Sequence, residues 1–195
     1  MTNLIVTDAQ DLEIDSPLVE LFELIIGKVP EGQTANTNKL YFHAAKDLDG
    51  TDSNKDIIFD GNTYITLPIE MDDIEKKTSG AMNRPKLTVA NVESLIKTGS
   101  SFKTQMEDGT WNSEIDGDTI TSVNFKLDHL VGQRLIRRRT LEKYTGDTTA
   151  YEFDKEVFII DRITSITPIF AEFELSLSLI HISEPTRPRL ISYAV

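Results

Sequence analysis

The chain contains no cysteine, so its 195 residues hold no disulfide, no thiolate metal cluster and no cysteine nucleophile. It also lacks any apolar run that approaches the length of a membrane-spanning helix. Basic residues are few, because 20 Lys and Arg face 32 Asp and Glu and leave a formal net charge of −12. That acidity disfavours phosphate backbones and anionic lipids, so we expect neither nucleic acid nor membrane as a partner.

Catalytic patterns are absent as well. The sequence has no GxSxG, no HExxH and no phosphate-binding glycine loop. His43 alternates with Tyr41 on an apolar stretch, which favours a packed histidine over a catalytic one. His129 follows Asp128 directly, but adjacent positions do not make a catalytic dyad. We therefore predict no catalytic residue and no enzymatic activity; a hydrolase would have to assemble its site from residues that no motif connects.

Short alternating apolar stretches predict a mainly-β fold, either an antiparallel β-sandwich or a barrel with one or two short helices. Asp60-Gly61 separates two of these stretches and predicts a tight hairpin turn. Pro168 interrupts the last pair, because proline cannot donate a hydrogen bond to a sheet. The predicted strands cover residues 18–26, 39–45, 56–59, 62–67, 85–90, 156–163 and 166–175.

Two helices and one polar region complete the predicted organisation. Asn91 can cap a short helix that ends at Gly99, and residues 125–130 can form a second one before Gly132. Residues 100–122 are polar and predict a long loop or an extra hairpin, with Trp111 as the only large apolar anchor.

The string DLDGTDSNKD, from Asp47 to Asp56, is the best candidate for a metal site. Carboxylate and hydroxyl oxygens at alternate positions suit a hard cation such as calcium, which would make the chain a calcium-dependent binding or adhesion module. The glycine and glutamate positions of an EF-hand loop do not fit, however, and a polar turn explains the same residues. We assign no metal ligand and keep the calcium module as the alternative function.

An arginine-rich strand is the most unusual feature of this acidic chain. Arg134, Arg137, Arg138 and Arg139 lie within the string LDHLVGQRLIRRRTLEKY, among apolar residues. Successive strand residues point to opposite faces, so Arg137 and Arg139 share one face and Arg138 takes the other. They can pair with acidic groups of the same chain or with carboxylates of a neighbouring subunit. We favour structural or interfacial pairing over nucleic-acid contact, and predict all four as subunit-interface residues.

Several strings in a fixed order resemble the minor tail protein L family of long, non-contractile-tailed phages. NRPKLTVANV is similar to the family's RPTLTVSNL-type string, and LVGQRLIRRRTLEKY to its LVG segment followed by paired arginines. The remaining strings that carry the resemblance are PLVELFEL, YFHA, IIFDGNTYITLPIEM and VFIIDRITSITPIFAEFELS. Residues 100–122 depart from the family as an insertion that is longer than in its compact members.

The resemblance implies a structural protein of the tail tip, or baseplate, which links the distal ring of the tail tube to the central fibre. It further implies a homo-oligomeric ring, contacts with other tail-tip proteins and with the tube end, and a place in the virion tail after assembly in the bacterial host cytoplasm. Longer family members continue into a cysteine-rich part suited to an iron–sulfur cluster. This chain has no cysteine, so we expect no cofactor here and a cluster only in a C-terminal region that is missing.

The last residues form an expectation of their own. LSLIHISEPTR, beginning at Leu177, is similar to the translation of a transposase-type sequencing adapter, and the closing ISYAV continues that adapter in the same frame. We therefore expect residues 177–195 to be a non-native tail, to be excluded from fold reasoning. Residues 1–176 are then expected to form the mainly-β tail-tip domain, without its natural C-terminus.

Overall fold

A computed structural model describes residues 16–32, 38–44, 56–72, 84–90, 101–108, 111–146 and 151–177. These residues form eleven strands, one α-helix (α1, Ser101–Glu107) and two 3-10 helices (Leu127–Leu130 and Glu142–Tyr144). The strands are β1 (Leu18–Ile25), β2 (Lys39–Ala44), β3 (Ile57–Phe59), β4 (Asn62–Leu67), β5 (Ile69–Met71), β6 (Lys86–Ala90), β7 (Glu114–Ile115), β8 (Asp118–Thr119), β9 (Arg134–Leu141), β10 (Glu156–Ile166) and β11 (Phe170–Leu177). The mainly-β prediction is confirmed.

Nine strands form one large sheet in the order β3-β4-β2-β1-β9-β10-β11-β6-β5, and β7 and β8 form a separate hairpin. Neighbours pair antiparallel except for β2 and β4, which run parallel. The expectation of a purely antiparallel sheet is thus corrected at one place. The cause is topological. β3 follows β2 in the chain but does not pair with it. After the tight turn, β4 lies between β3 and β2 and runs in the same direction as β2.

The large sheet is strongly rolled. Pro68 alone separates β4, near one end of the sheet, from β5 at the opposite edge. One intervening residue spans only about 7 Å between flanking Cα atoms, so the two ends of the sheet must approach each other. They enclose the main core, which contains Phe42 of β2, Phe158 of β10 and Phe173 of β11. Among the described strands the sheet does not close into a barrel, and its two ends face each other as the layers of a sandwich would.

A second, smaller core lies on the opposite face of β1. It consists of Val19, Leu21, Ile57, Phe59 and Tyr64, with Tyr41 packed against it. The pleat explains the division, because Phe22 and Leu24 alternate with Leu21 along β1 and point into the main core. The β3–β4 hairpin supplies the cover for this second core.

The turn signals of the sequence are confirmed in detail. Asp60 and Gly61 both have positive φ, at 53° and 72°, as the tightest hairpin turns require. Pro168 lies in the turn between β10 and β11, where Thr167 donates its backbone N–H to the Phe170 carbonyl at 2.9 Å. The last strand therefore starts at Phe170, later than predicted, and residue 166 belongs to β10.

The region from 100 to 122 contains both a predicted and an unpredicted element. The β7–β8 hairpin is the extra hairpin, and the Trp111 indole N–H donates to the Ile120 carbonyl at 2.9 Å beside the main core. The helix α1 was not predicted. It contacts β2 through Gln105, whose side-chain amide bonds both the N–H and the carbonyl of Tyr41.

The second predicted helix is present as the 3-10 helix Leu127–Leu130. Three other predictions lie outside the described residues. They are the helix of residues 91–99, the candidate calcium loop apart from Asp56, and the adapter-like tail beyond residue 177.

Candidate functional site

The arginine strand β9 lies near the middle of the large sheet, between β1 and β10. Arg137 pairs with Phe22 across the β1 ladder, and Arg138 pairs with Leu21. Phe22 belongs to the main core and Leu21 to the second core. The prediction that Arg138 takes the face opposite to Arg137 and Arg139 is therefore confirmed.

Arg138 is the centre of a buried ionic cluster, and only 2% of the residue is exposed. Its guanidinium uses each of its three nitrogens. Nε donates to a Glu152 carboxylate oxygen at 2.5 Å, and Nη1 donates to Glu23 Oε1 at 2.7 Å. Nη2 donates to Asp60 Oδ2 at 2.9 Å and to the second Glu152 oxygen at 3.0 Å. The planar fork of arginine, which lysine lacks, allows this arrangement.

Aromatic rings close the Arg138 cluster. The guanidinium carbon lies 4.9 Å from the centre of the Phe59 ring, a cation–π distance. The Tyr64 hydroxyl donates to Glu23 Oε1 at 3.1 Å, so one carboxylate oxygen receives both the tyrosine and the arginine. The second core and the ionic cluster are thus one structure that joins β1, β4 and β9.

The electrostatics of the cluster favour its charged state. Burial opposes the charge of Arg138, but hydrogen bonds to Glu152, Asp60 and Glu23 outweigh it and raise the Arg138 pKa. Burial likewise tends to raise the pKa of Glu23, but the hydrogen bond from Arg138 and the charge of Lys39 bring it below its ordinary value. Burial and the Glu23 charge raise the pKa of Tyr64, which stays protonated as a donor. The cluster is built to hold charge and not to exchange protons near neutral pH.

Arg137 and Arg139 meet acidic residues on the other face. Arg137 bonds Glu20 of β1, and its second terminal nitrogen lies 3.5 Å from Glu156 of β10. Arg139 bonds the other Glu156 oxygen at 3.1 Å. Glu156 therefore bridges both arginines from the neighbouring strand, so the ion pairs tie β1, β9 and β10 together.

Arg134 differs from the other three. It is exposed at the start of β9, and it lines an open groove of about 580 Å³. The β7–β8 hairpin forms one wall of this groove and the ends of β1 and β9 form the other. Its lining residues are Ile25, Gly27, Lys28, Glu114, Ile115, Asp116, Gly117, Gly132, Gln133, Arg134 and Ile159.

Pairing within the chain, one of the two interpretations of the arginines, is what the structure contains for Arg137, Arg138 and Arg139. The subunit-interface role of the four arginines stays a prediction. Sequence reasoning missed the partners of Arg138, because Glu23, Asp60 and Glu152 are far apart in the chain. The excess of carboxylates was the available signal, since a buried arginine in an acidic chain must find acidic partners.

The two histidines within the described residues behave as structural residues. His43 is 4% exposed, and its Nε2 lies 3.1 Å from the Thr66 hydroxyl. His129 accepts the Lys126 backbone N–H at 3.2 Å, at the start of the 3-10 helix. Within the described ranges, no group of three or more His, Asp or Glu side chains could hold a metal ion, and no helix is both long and apolar enough to cross a membrane.

A comparison with protein families gives a match to the family described as phage minor tail protein L, over residues 33–110. No curated protein sequence matches the chain. The matched segment contains YFHA, IIFDGNTYITLPIEM and NRPKLTVANV, whereas the arginine strand lies beyond it. The matched strands are β2 to β6, which occupy both ends of the large sheet. Over residues 33–110, the chain is therefore similar to the phage minor tail protein L family.

Proposed function

We propose that this protein is a structural component of the tip of a long non-contractile phage tail, where it links the distal ring of the tail tube to the central fibre during assembly. The observation that carries the proposal is the family match over residues 33–110. It is supported by the position of the matched strands, which form both ends of the sheet that the arginine strand completes.

The proposed role is association and not turnover. The Arg138 guanidinium is buried and each of its nitrogens donates to a carboxylate of the same chain, so it offers nothing to a substrate. The copies would form a homo-oligomeric ring that contacts other tail-tip proteins and the end of the tube. In such a ring, the buried Arg137 and Arg138 stabilise, through their ion pairs, the strands that carry the contact surface. The exposed Arg134 can contact a neighbouring subunit directly.

The test is to stop translation of this gene in its phage with an early nonsense codon and to supply the protein from a plasmid. We expect particles made without the protein to be non-infectious and to lack a normal tail tip by electron microscopy. A gold-labelled tag on the plasmid copy should mark the distal end of the tail. Infectious particles without the protein, or a label on the head, would contradict the proposal. A plasmid carrying Arg134→Glu tests the predicted interface residue against the wild-type plasmid.

A further inference from the structure

The β10–β11 hairpin has an open edge along the second half of β10. β10 pairs with β9 only from Glu156 to Ile159, and the Ile160 backbone makes the last contacts, with Gly132 and Gln133. From residue 161 to 166, β10 has β11 as its only strand neighbour among the described residues. On its other side the hairpin stays paired with β6, from Phe170 to Glu174 of β11, so this arm of the sheet (residues 161–174) has one open edge and ends in a turn.

The tip of this arm is apolar and exposed. Ile166 is 54% and Ile169 is 74% exposed, with Pro168 exposed between them. The turn is ordered by two further hydrogen bonds at 3.0 Å, from the Thr167 hydroxyl to the Phe170 carbonyl and from the Phe170 N–H to that hydroxyl. A tip that is already held in one conformation loses little entropy when it binds.

The strands behind the tip carry charged side chains, but these charges are paired within the chain. Arg84 lies 2.6 Å from Asp161 and 2.9 Å from Glu174, and Arg162 lies 2.6 Å from Glu174. The ladder between β10 and β11 also shifts register twice, between Ile160 and Arg162 and between Ile163 and Ser165. Such bulges disfavour the addition of a regular strand to an open edge. The apolar tip, and not the edge, is thus the part of the arm suited to a partner.

The groove beside Arg134 has the complementary character. Ile25, Ile115 and Ile159 supply apolar lining, and Gly117 and Gly132 contribute no side chains that would fill it. Its charged lining residues, two basic and two acidic, balance to zero: Lys28, Arg134, Glu114 and Asp116. A neutral, partly apolar groove of about 580 Å³ has the size of a site for a compact ligand or a short peptide turn.

We propose that the tip formed by residues 166–169 of one copy docks into the Arg134 groove of the next copy. Two copies with a net charge of −12 each repel one another over most of their surfaces, so contact is favoured where both surfaces are neutral. The tip and the groove are different patches, separated by residues 160–165 of β10. Such head-to-tail contacts generate a closed ring when the rotation between copies closes. The inference rests on the proposed ring and specifies the surfaces that build it.

Cross-linking in assembled tails tests the docking, and these 195 residues contribute no cysteine of their own. A tagged Ile169→Cys chain and an untagged Arg134→Cys chain are produced together during phage growth, and purified tails are treated with a short bis-maleimide. We expect a product that joins one tagged and one untagged chain. The matched control replaces Arg134→Cys with Val123→Cys, since Val123 is 83% exposed and lies outside the groove.

The outcomes separate this inference from the proposed function. Tails that contain both chains but give no tip-to-groove product would overturn the docking and leave the tail role intact. The same holds for equal cross-linking to Val123→Cys, or for a product between two Ile169→Cys chains only. If either cysteine variant is absent from tails, the incorporation of Ile169→Asp into tails is compared with that of Val123→Asp. Loss of incorporation for Ile169→Asp alone supports the docking, and equal incorporation of both variants contradicts it.

Discussion

At the residue scale, Arg138 is the most highly connected charged group among the ion pairs of the described residues. It satisfies three carboxylates from three separate parts of the sequence, and its side chain is only 3% exposed. A buried arginine is costly to desolvate, so the cluster contributes less to stability than its number of contacts suggests. The strong effect appears when Arg138 is removed. The largely buried Glu23 and Glu152 carboxylates then keep only half-exposed lysines, Lys39 and Lys155, as counterions.

We predict that Arg138→Leu lowers the free energy of unfolding by about 3–5 kcal/mol, the usual cost of breaking a buried pair from one side. Arg138→Lys should also destabilise strongly, because an ammonium cannot reproduce the fork toward Glu152, Asp60 and Glu23. Urea titration measures both. The exposed Arg134→Leu on the same strand is the matched control, with an expected change within about 0.5 kcal/mol. Equal losses of unfolding free energy for Arg138→Leu and Arg134→Leu would contradict this prediction.

The lowered pKa of Glu23 predicts the acid side of the stability profile. A carboxylate whose pKa is lower in the folded state contributes stability that is full above its ordinary value of 4.5 and is lost as pH falls through the folded value. Glu174 contributes in the same direction, since hydrogen bonds from Arg162 and Arg84 lower its pKa. We expect a plateau of stability near neutral pH and a steep fall below about pH 4.5.

The contribution of Glu23 to this fall is separable by substitution. Glu23→Gln should be less stable than wild type at pH 7, and its stability should change less between pH 5 and pH 3, because one titrating group has been removed. Thermal unfolding across that range is the measurement. Glu70→Gln, which replaces the exposed carboxylate of β5, is the matched control. A Glu23→Gln profile parallel to wild type would show that Glu23 does not titrate with folding.

At the scale of elements, the β7–β8 hairpin meets the segment after β1 at a close backbone approach. Lys28 and Glu114 exchange backbone hydrogen bonds at 3.0 and 2.8 Å, and the Ser113 hydroxyl donates to the Ile26 carbonyl. Gly27 lies in the middle of this contact with φ of +61°, and a Cβ there would lie 2.7 Å from Ser113 Oγ and closer still to the Glu114 carbonyl oxygen. Both the backbone conformation and the space demand glycine.

Gly27→Ala is therefore predicted to detach the hairpin and to destabilise the protein by more than backbone strain alone. Gly117→Ala is the control, since Gly117 also has positive φ, at +88°, but an added Cβ would meet nothing within 4 Å. Strain at positive φ costs roughly 1–2 kcal/mol, and Gly27→Ala should exceed that. Hydrogen exchange at the Lys28 and Glu114 amides should speed up only in Gly27→Ala. Similar amide exchange rates in Gly27→Ala and Gly117→Ala would mean that backbone strain, and not the clash of the added Cβ, causes the destabilisation.

The secondary-structure elements also show which parts of this fold could be predicted from the sequence. Alternation along β1 and β9 and the Asp60-Gly61 turn are local patterns, so strands and the turn were predictable to within a few residues. The three-residue strand β5 is too short to leave a pattern, and α1 has no acidic residue in its first turn and no basic residue in its last turn that would mark it. The faces of Arg137 and Arg138 followed from the pleat, but their partners did not, because Arg138 and Glu23 are 115 positions apart.

At the scale of the whole molecule, the family-matched segment does not correspond to a self-contained part of the fold. Residues 33–110 supply β3, β4 and β2 at one end of the sheet, and β6 and β5 at the other. The strands that connect these ends, β1 and β9 to β11, come from outside the match. They also contribute much of the main core, including the fully buried Leu135, Phe158 and Phe173. The matched strands thus depend on the unmatched ones for both hydrogen bonds and burial.

We accordingly predict that a fragment of residues 33–110 does not fold cooperatively, whereas a fragment of residues 16–177 unfolds at the same temperature as the full chain. The longer fragment keeps every strand of the sheet, and it removes most of the adapter-like tail. The shorter one leaves β2 and β6 without β1 and β11, their antiparallel neighbours. Circular dichroism melts of the three proteins decide the matter. A cooperative transition in the shorter fragment would mean that the matched segment is a domain by itself. A large loss of melting temperature in the longer one would mean that the terminal residues support the sheet.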